Sequence, residues 1–470
     1  MSKELLELSV LQVADLIEKK EISPVELTNT MLDYIEKSNE QTNAYISITA
    51  DQARQSAQRA EQQIMDGLYK GVFHGVPLAL KDNIYHGGEV TTMASKIHRD
   101  FVSEHDATVV AQLRDAGAVF TGKLNMHEYA WGIDNDSPHF GAVHNPWNPK
   151  RVPGGSSGGS GAAVAAHSSY ISLGTDTAGS IRIPSAACGI VGLKPTHGRV
   201  SKFGVYPLAW TLDHVGPMAK TVADAAALME VIAGFDPNDP TSANVPADGY
   251  LEALSGDVKG LRIGIIEDYF FHNVDSGIEK LIRERLQDLE NEGAEVVSLS
   301  LPALRYAEWA ELAVSLVEAA TIHHRDLVKR ADDFGKDIRF LFELGELFSG
   351  IDYLQGQQVR RALKLQFAEA FDDVDVILAP VMPCQVPNIG VETVDINGQT
   401  LDFIMEGIRF TGPSNLTGLP ALSVPAGMSD GMPIGLQLIG DAFDEATILN
   451  VAYAIELMNP LAGHAPVIKP

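Results

Sequence analysis

The first 65 residues carry hydrophobic positions at helical spacing. In "SVLQVADLIEKK" the apolar residues recur every three or four positions, which predicts an amphipathic helix. In "SPVELTNTMLDYIEKSN" Ser23 and Glu26 form a capping box, and Pro24 occupies the first position of a second helix. The Ala- and Gln-rich "DQARQSAQRAEQQIM" predicts a third helix. We expect these helices to wrap the outside of a core.

From Gly75 onward the pattern changes to short apolar runs that end in glycine or polar residues. "GVPLALKDNI" and "AVFTGKLN" predict buried strands, and "DATVVAQLRDAG" between them predicts a helix capped by Asp106. Strands that alternate with helices in this way indicate a parallel or mixed sheet covered by helices on both faces. The predicted fold class is therefore α/β.

The second half of the chain continues this alternation after a polar, proline-rich loop over residues 236–249. "GLRIGII", "SGIEKLIRERLQDLENEG" and "AEVVSLSL" predict a βαβ unit, and residues 302–371 predict a long helical stretch. "VDVILAP", "PALSVPA" and "PIGLQLIG" predict further strands before a closing helix. No shift in composition marks a boundary, so we predict a single domain over residues 1–470. It divides into a helical wrap (1–65), a core (66–235), the loop (236–249) and a second part of the same sheet (250–470).

Composition and charge narrow the function classes. The 470 residues are 45% hydrophobic and 21% charged, which is ordinary for a globular protein with a large core. The net charge of −27 repels phosphate backbones and anionic lipids, so we expect no direct nucleic-acid or membrane partner. Two cysteines are too few for a disulfide framework, and no signal peptide or long apolar span is evident. These features predict a cytoplasmic protein.

The stretch "GGSSGGSGAAVAAHSSYISLGTDTAGSIRIP", residues 154–184, is rich in glycine and serine. Such a composition is compatible with a linker, a phosphate-binding loop or part of an active site. It is not a linker, because "AAVAA" and "YISLG" are apolar runs. A phosphate loop needs Lys followed by Ser or Thr after the glycines, whereas Ala162 follows Gly161 here. Overlapping G-x-S-x-G patterns centre on Ser156 and Ser157, but the nucleophile elbow requires a preceding strand and "NPWNPKRVP" contains three prolines.

A serine hydroxyl becomes a nucleophile only when a neighbouring base removes its proton. Lysine can be that base, but at its ordinary pKa of about 10.4 it is almost fully charged at neutral pH and must be desolvated. Lys81 is the candidate, because it follows the buried strand "GVPLAL". The alternative, a lysine that reaches solvent from the strand end, stays open at this point.

Several segments together resemble the amidase signature family. They are "GVPLALKDNI", "TGKLNMHEYAWG", "PGGSSGGSGAAVAA", "LGTDTAGSIRIPSAACGIVGLKPTHGRVS" and "LDHVGPMAKTVADAA", and they follow the family's order and spacing. "GPSNLTGLPALSVPAG" also resembles the family's closing strands. The resemblance covers nearly the whole chain, is weakest over residues 236–372, and implies the amidase signature fold.

The resemblance implies a Ser–Ser–Lys triad. Ser180 matches the nucleophile, Ser156 matches the bridging serine that follows a cis peptide bond, and Lys81 matches the general base. The family's oxyanion donors correspond to the backbone N–H groups of Thr177, Ala178 and Gly179, and no metal or organic cofactor is implied. Many family members have glycine where this chain has Ala178, and the variants with alanine include enzymes that act on urea-like substrates.

The other candidate residues have supporting or binding roles. We expect Asp176 and Arg182 to fix the Ser180 loop, and Ser157 to support its turn. A candidate substrate pocket is formed by the segment "MHEYAWG", with core packing as the alternative; its candidates are Met126, Tyr129 and Trp131. Trp210 and Phe410 are further apolar candidates, whereas His323 and His324 are expected at the surface.

The resemblance implies an amidase that hydrolyses C–N bonds of small amides, with carbamates and urea-like compounds as further substrates; a homodimer is compatible with it. One alternative is the glutaminase (A) subunit of glutamyl-tRNA(Gln)/aspartyl-tRNA(Asn) amidotransferase, whose glutamine site uses an arginine and an acid. Arg360 matches that arginine, but Ile408 occupies the place of the acid. A second alternative is a catalytically inactive binding member of the family.

Overall fold

Strands and α-helices account for most of the part of the protein that the computed structural model describes, residues 4–247 and 249–459. The strands are β1 (Tyr45–Ile48), β2 (Pro77–Lys81), β3 (Val119–Leu124), β4 (Asp136–Ser137), β5 (Gly141–Ala142), β6 (Ile171–Asp176), β7 (Val191–Lys194), β8 (His214–Ala219), β9 (Arg262–Ile265), β10 (Glu295–Ser298), β11 (Val376–Pro380), β12 (Thr393–Ile396), β13 (Gln399–Asp402), β14 (Ala421–Ser429) and β15 (Met432–Gly440). The helices are α1 (Glu4–Glu7), α2 (Val10–Glu18), α3 (Pro24–Thr42), α4 (Ala50–Met65), α5 (Thr108–Asp115), α6 (Gly158–Ala165), α7 (Arg182–Cys188), α8 (Val222–Ile232), α9 (Glu267–Phe270), α10 (Ser276–Asn291), α11 (Ala307–Arg330), α12 (Lys336–Leu347), α13 (Gly350–Asp373), α14 (Phe403–Arg409), α15 (Gly412–Thr417) and α16 (Glu445–Met458).

One mixed sheet of eleven strands organises the described residues, in the order β1-β3-β2-β6-β8-β7-β14-β15-β11-β9-β10. β2 pairs in parallel with β3 and β6, and β9 pairs in parallel with β10 and β11, whereas the strands between these groups are antiparallel. Every residue of β2, β3 and β6 is buried, as expected for strands covered by helices on both faces. The prediction of an α/β protein with a mixed central sheet is confirmed.

The parallel pair of β2 and β6 positions the candidate chemistry. Leu80 is paired with Leu173, so the two strands run in register and end at the same edge of the sheet. Lys81 is the last residue of β2 and Asp176 is the last residue of β6. In open α/β sheets the carboxyl ends of such strands border the ligand crevice. The fold therefore brings two segments that are far apart in sequence to one location.

Two local expectations are wrong. Asp106 does not cap α5, because the helix begins at Thr108 with Ala107 in the cap position. The carboxylate of Asp106 instead accepts from the backbone N–H of Gly87 and pairs with Arg114. The N-terminal wrap is not helical throughout either, since β1 forms the edge of the main sheet beside β3. The predicted division of the chain into a wrap, a core, a loop and a second part of the sheet remains a prediction. The end of the last of these regions, residues 460–470, lies outside the described residues.

The long helical stretch predicted over residues 302–371 is broken into three helices, α11, α12 and α13. A short 3-10 turn at Ala331–Asp333 separates the first two, and Ser349 caps the third through a reciprocal capping box with Asp352. None of the described helices combines the length and the apolar character that crossing a membrane requires. α11 is the element that matters most for the site, because one of its side chains lines the cavity described below.

Candidate active site

Lys81 and Ser156 meet at the edge of the sheet where β2 ends. Lys81 Nζ donates to Ser156 Oγ (2.8 Å) and to Thr175 Oγ1 (2.7 Å), and all three side chains are buried. Ser156 follows a cis peptide bond from Gly155, in agreement with the resemblance. The chain then enters α6, whose Gly159 packs so closely that a Cβ atom would lie 2.3 Å from the carbonyl oxygen of Asn125. The glycines of this segment therefore serve close packing.

The amine of Lys81 lies in an environment that disfavours its charge. Burial lowers the pKa of Lys81 to about 7, although Asp176 and Asp213 act in the opposite direction. Within the described part of the chain, no carboxylate lies within ion-pair distance of this amine. Lys123 is also buried, but its amine has a carboxylate partner, since Lys123 Nζ lies 3.4 Å from Asp82 Oδ1. A substantial fraction of Lys81 is thus unprotonated near neutral pH.

The loop that carries Ser180 is held by a buried ion pair between Asp176 and Arg182. Arg182 Nη2 and Nε lie 2.9 and 3.0 Å from the two carboxylate oxygens of Asp176. The same oxygens accept from the backbone N–H groups of Gly179 (2.8 Å) and Ile181 (3.1 Å). Although burial raises the pKa of Asp176, Arg182 lowers it to about 2, so the carboxylate is ionised. This geometry fits the supporting role expected for both residues.

One of the three backbone N–H groups expected to bind the oxyanion, that of Gly179, is already bonded within the Ser180 loop. The N–H of Gly179 donates to Asp176, so it does not face the cavity as a free donor. Among the described residues, no partner accepts from the N–H groups of Thr177, Ala178 and Ser180. Gly179 has a φ of +132°, and a Cβ atom there would lie 2.4 Å from Thr411 Oγ1. Ala178 does not adopt a positive φ, so its side chain causes no strain.

Ser180 lines a cavity of about 370 Å³, which we call the Ser180 cavity. Its walls are largely apolar, with Trp131, Ile133 and Ile408 among them. The lining also contains acidic residues but neither lysine nor arginine among the described residues; the acidic residues are Asp134, Glu311, Asp337, Glu392 and Asp402. The cavity can therefore hold a small organic molecule and disfavours an anionic one.

The one cationic group in this lining, among the residues that the structure describes, is His127. Its Nδ1 lies 2.8 Å from Asp134 Oδ1 and its Nε2 lies 3.0 Å from Asp337 Oδ2. Burial would lower the pKa of His127, but these two carboxylates raise it to about 10. His127 is therefore protonated, and its charge is neutralised by its two partners. No local signal in the sequence points to this pairing, because Asp337 lies 210 positions further along the chain than His127.

Among the remaining candidates, Trp131 lines the Ser180 cavity, whereas Met126 and Tyr129 do not. All three pack in one buried hydrophobic cluster, and Trp131 also reaches the cavity wall. Ser157 Oγ donates to the carbonyl oxygen of Thr175 and supports the turn. His323 is not at the surface as expected, since it is fully buried and stacks on Phe342 with ring centroids 4.3 Å apart.

A second cavity of about 400 Å³ adjoins the first and shares Ala130, Thr177 and Leu208 with it. Ser180 does not line this cavity, but Thr175 and the partly exposed Trp210 do. Phe410 lines neither cavity, because it is fully buried in the main core. The sequence signals for Trp210 and Phe410 therefore did not identify walls of the Ser180 cavity.

Comparisons with known proteins identify the family of this chain. The Amidase family model matches residues 26–449. The A subunit of glutamyl-tRNA(Gln) amidotransferase from Geotalea daltonii is 43% identical, over 96% of this chain and 97% of that protein. The solved structure of the Thermotoga maritima protein of the same name has 33% identity, a TM-score of 0.85 and full coverage of both chains. A bacterial aryl acylamidase of the amidase signature family has 28% identity and a TM-score of 0.91, over 98% of this chain and 99% of its own. The chain belongs to the amidase signature family and is an enzyme of that family.

Proposed function

We propose that this protein hydrolyses amide C–N bonds through an acyl-enzyme on Ser180, with Ser156 and Lys81 as its proton relay. The observation that carries the proposal is the 2.8 Å contact between Lys81 Nζ and Ser156 Oγ in a fully buried setting. Burial lowers the pKa of Lys81 to about 7, so its unprotonated amine can act as a general base at neutral pH. A lysine that reached solvent could not serve in this way.

The reaction proceeds in two halves. The lone pair of Lys81 accepts the proton of Ser156, and Ser156 accepts the proton of Ser180 as Ser180 Oγ attacks the amide carbon. Lys81 returns its proton through Ser156 to the leaving nitrogen, the C–N bond breaks, and ammonia or an amine departs. Water then attacks the ester on Ser180 along the same relay. The products are a carboxylic acid and the free enzyme.

The tetrahedral intermediate carries a negative oxygen that needs hydrogen-bond donors. The unused backbone N–H groups of Thr177 and Ala178 adjoin Ser180 in the loop that Asp176 and Arg182 hold. Each donor of this kind commonly contributes about 3 kcal/mol to transition-state stabilisation. The buried ion pair therefore acts as a positioning element for the loop.

The chemistry of the Ser180 cavity favours uncharged amides, with carbamates and urea-like compounds as close relatives. Its lining contains no lysine or arginine among the described residues, and His127 is already paired with Asp134 and Asp337. A substrate carboxylate would lose its hydration without gaining a cation, which costs binding energy. The apolar walls instead contact uncharged acyl groups.

The glutaminase component of glutamyl-tRNA(Gln) amidotransferase is the second candidate, and the relatives support it more directly than they support a free-standing amidase. The cavity fits it less well. Arg360, which matches the arginine of the glutamine site, donates to the carbonyl oxygen of Leu416 (2.6 Å) and to Thr211 Oγ1 (2.9 Å) and does not line the cavity. Ile408 lines the cavity where an acid is expected.

One experiment tests the nucleophile and separates the candidates. A fluorophosphonate probe should label Ser180, as mapped by mass spectrometry; the label should be absent from Ser180→Ala and present in Ser157→Ala. Ammonia release should then be measured for butyramide, benzamide and L-glutamine with the chain alone. We expect turnover of the neutral amides. A label on another residue would overturn the mechanism, and preferential turnover of glutamine would favour the second candidate.

A further inference from the structure

Glu311 is a buried carboxyl group in the wall of the Ser180 cavity. It lies in the first turns of α11, far along the chain from the Gly/Ser segment that carries Ser180. Its side chain is only 2% exposed and packs against Gly412 at the beginning of α15. Nothing in the mechanism above uses this group. It is nevertheless a polar side chain in the wall of the cavity that Ser180 lines.

Both carboxyl oxygens of Glu311 are buried and accept no hydrogen bond from any described residue. Other buried acidic groups in this region are bonded: Asp176 to Arg182, and Asp213 to Thr177 and two backbone N–H groups. Glu128 also has partners for both oxygens, since one accepts from the N–H of Gly335 and the other lies 3.4 Å from His139 Nε2. Because buried polar groups are almost always satisfied, two unpartnered oxygens in a cavity wall indicate a ligand that supplies the partner.

The nearby cations are committed elsewhere. Arg360 donates to Leu416 and Thr211, and Arg182 donates to Asp176 and to groups of α15. Neither arginine lies within ion-pair distance of Glu311, and burial raises the pKa of Glu311 well above the ordinary value of a glutamate. Burial without a neighbouring counter-charge therefore favours the protonated form of Glu311, which offers one O–H donor and one carbonyl acceptor.

We infer that Glu311 is a specificity-determining residue of the Ser180 cavity and binds a carboxamide or ureido group on the acyl part of the substrate. A carboxylic acid and a carboxamide exchange two hydrogen bonds: the acid O–H donates to the amide oxygen, and an amide N–H donates to the acid carbonyl. The pair satisfies both buried oxygens and needs no charge. This inference rests on the proposed function, because the acyl part is defined by attack of Ser180.

Three substrates of equal heavy-atom number test this preference. Succinamide carries the second carboxamide, 4-methylpentanamide replaces it by an isopropyl group, and succinamate replaces it by a carboxylate. We expect the wild-type kcat/KM to be at least about tenfold higher for succinamide than for 4-methylpentanamide, and lowest for succinamate. Malonamide and glutaramide test a shorter and a longer distance between the two carboxamide groups. Each is compared with the monoamide in which an isopropyl group replaces the second carboxamide.

Glu311→Met keeps the length of the side chain and removes its polar atoms, so it should abolish or reverse the preference for the diamide. Glu311→Gln retains a donor and an acceptor and should preserve the preference within about threefold. The ratio of two substrates on one protein preparation is unaffected by a loss of folded enzyme. Glu318→Gln is the matched control, since Glu318 is buried on the same helix but bonded to Thr211 and Tyr353 outside the cavity lining.

An unchanged ratio in Glu311→Met would overturn the inference. A preference of the wild-type enzyme for 4-aminobutanamide over succinamide would also overturn it. That substrate carries an ammonium group, which binds an ionised Glu311 and not a protonated one. Binding of succinamide and 4-methylpentanamide to the Ser180→Ala variant, measured by calorimetry, tests the specificity role of Glu311 separately from the catalytic role of Ser180. If Ser180 proves not to be the nucleophile but Glu311→Met still removes the difference in affinity, the proposed mechanism fails and the specificity role stands.

Discussion

Lys81 Nζ donates a hydrogen bond to Thr175 Oγ1 across 2.7 Å, and this contact holds the amine beside Ser156. Thr175→Val removes the acceptor and leaves an N–H of a buried amine without its partner. We expect kcat for a neutral amide to fall about tenfold, whereas Thr175→Ser should retain most of it. A Thr175→Val enzyme with unchanged kcat and KM would contradict the positioning role of Thr175.

The relay requires Lys81 without its proton, which fixes the direction of the pH dependence. Because burial lowers the pKa of Lys81 to about 7, kcat/KM should rise with pH up to about 7 and level off above it. Below pH 7 the amine binds a proton and the rate should fall about tenfold per pH unit. Initial rates between pH 5 and pH 9 measure this profile.

Lys81→Ala should lower the rate by at least about a hundredfold across this range while the protein stays folded. Lys220→Gln is the control, because burial also lowers the pKa of Lys220 to about 7 but its amine donates to Leu6 and Leu8. That variant should keep the wild-type profile. A flat wild-type profile, or near-normal rates in Lys81→Ala, would refute the proton relay.

The buried pair of Asp176 and Arg182 should contribute strongly to stability. Asp176→Asn leaves the guanidinium of Arg182 fully buried without its counter-charge, and we expect a loss of about 3–5 kcal/mol in the free energy of unfolding. Asp333→Asn, which breaks the surface pair with Lys96, should hardly change the unfolding midpoint. Urea denaturation followed by circular dichroism measures both variants. Equal effects would show that burial of the ion pair is not the deciding factor.

Gly179→Ala should reduce activity by displacing the Ser180 loop. A methyl group there would meet Thr411 Oγ1 at 2.4 Å and would also impose alanine on a backbone φ of +132°. Gly234→Ala separates the two causes, because Gly234 has a φ of +146° with no atom within 4 Å of the added Cβ. We expect mild destabilisation of Gly234→Ala with full activity. Retained activity in Gly179→Ala would mean that the loop tolerates displacement.

The parts of the site that could be predicted from sequence are those that local segments define. The apolar run before Lys81 predicted a buried strand end, and the resemblance to the amidase signature family assigned Ser156 and Ser180 within the Gly/Ser segment. The structure joins Lys81 and Ser156 directly. Helix caps were predicted unevenly. Ser23 caps α3 as expected, whereas the side chain of Asp106 bonds to Gly87 and Arg114 instead of the N-terminus of α5.

The walls of the Ser180 cavity could not be predicted in the same way. Glu311 appears in the sequence as one acidic residue among many, and only the packing of α11 against α15 makes it a cavity wall. The charge of His127 is stabilised by Asp134 and also by Asp337, which lies 210 positions later in the chain. Tyr129 and Trp131 are only two residues apart and pack in the same core cluster, yet only Trp131 also lines the cavity. Such distinctions depend on tertiary contacts that no local pattern encodes.

Arg182 bonds not only to Asp176 but also to Thr411, Ser414, Asn415 and Gln437, 229 to 255 positions further along the chain. The strands β14 and β15 likewise lie in the middle of the sheet, next to β7. A nascent chain that has left the ribosome only as far as α13 therefore lacks these four partners of Arg182. The loop that carries Ser180 can reach its final arrangement only after residues 411–437 have been added to the growing chain.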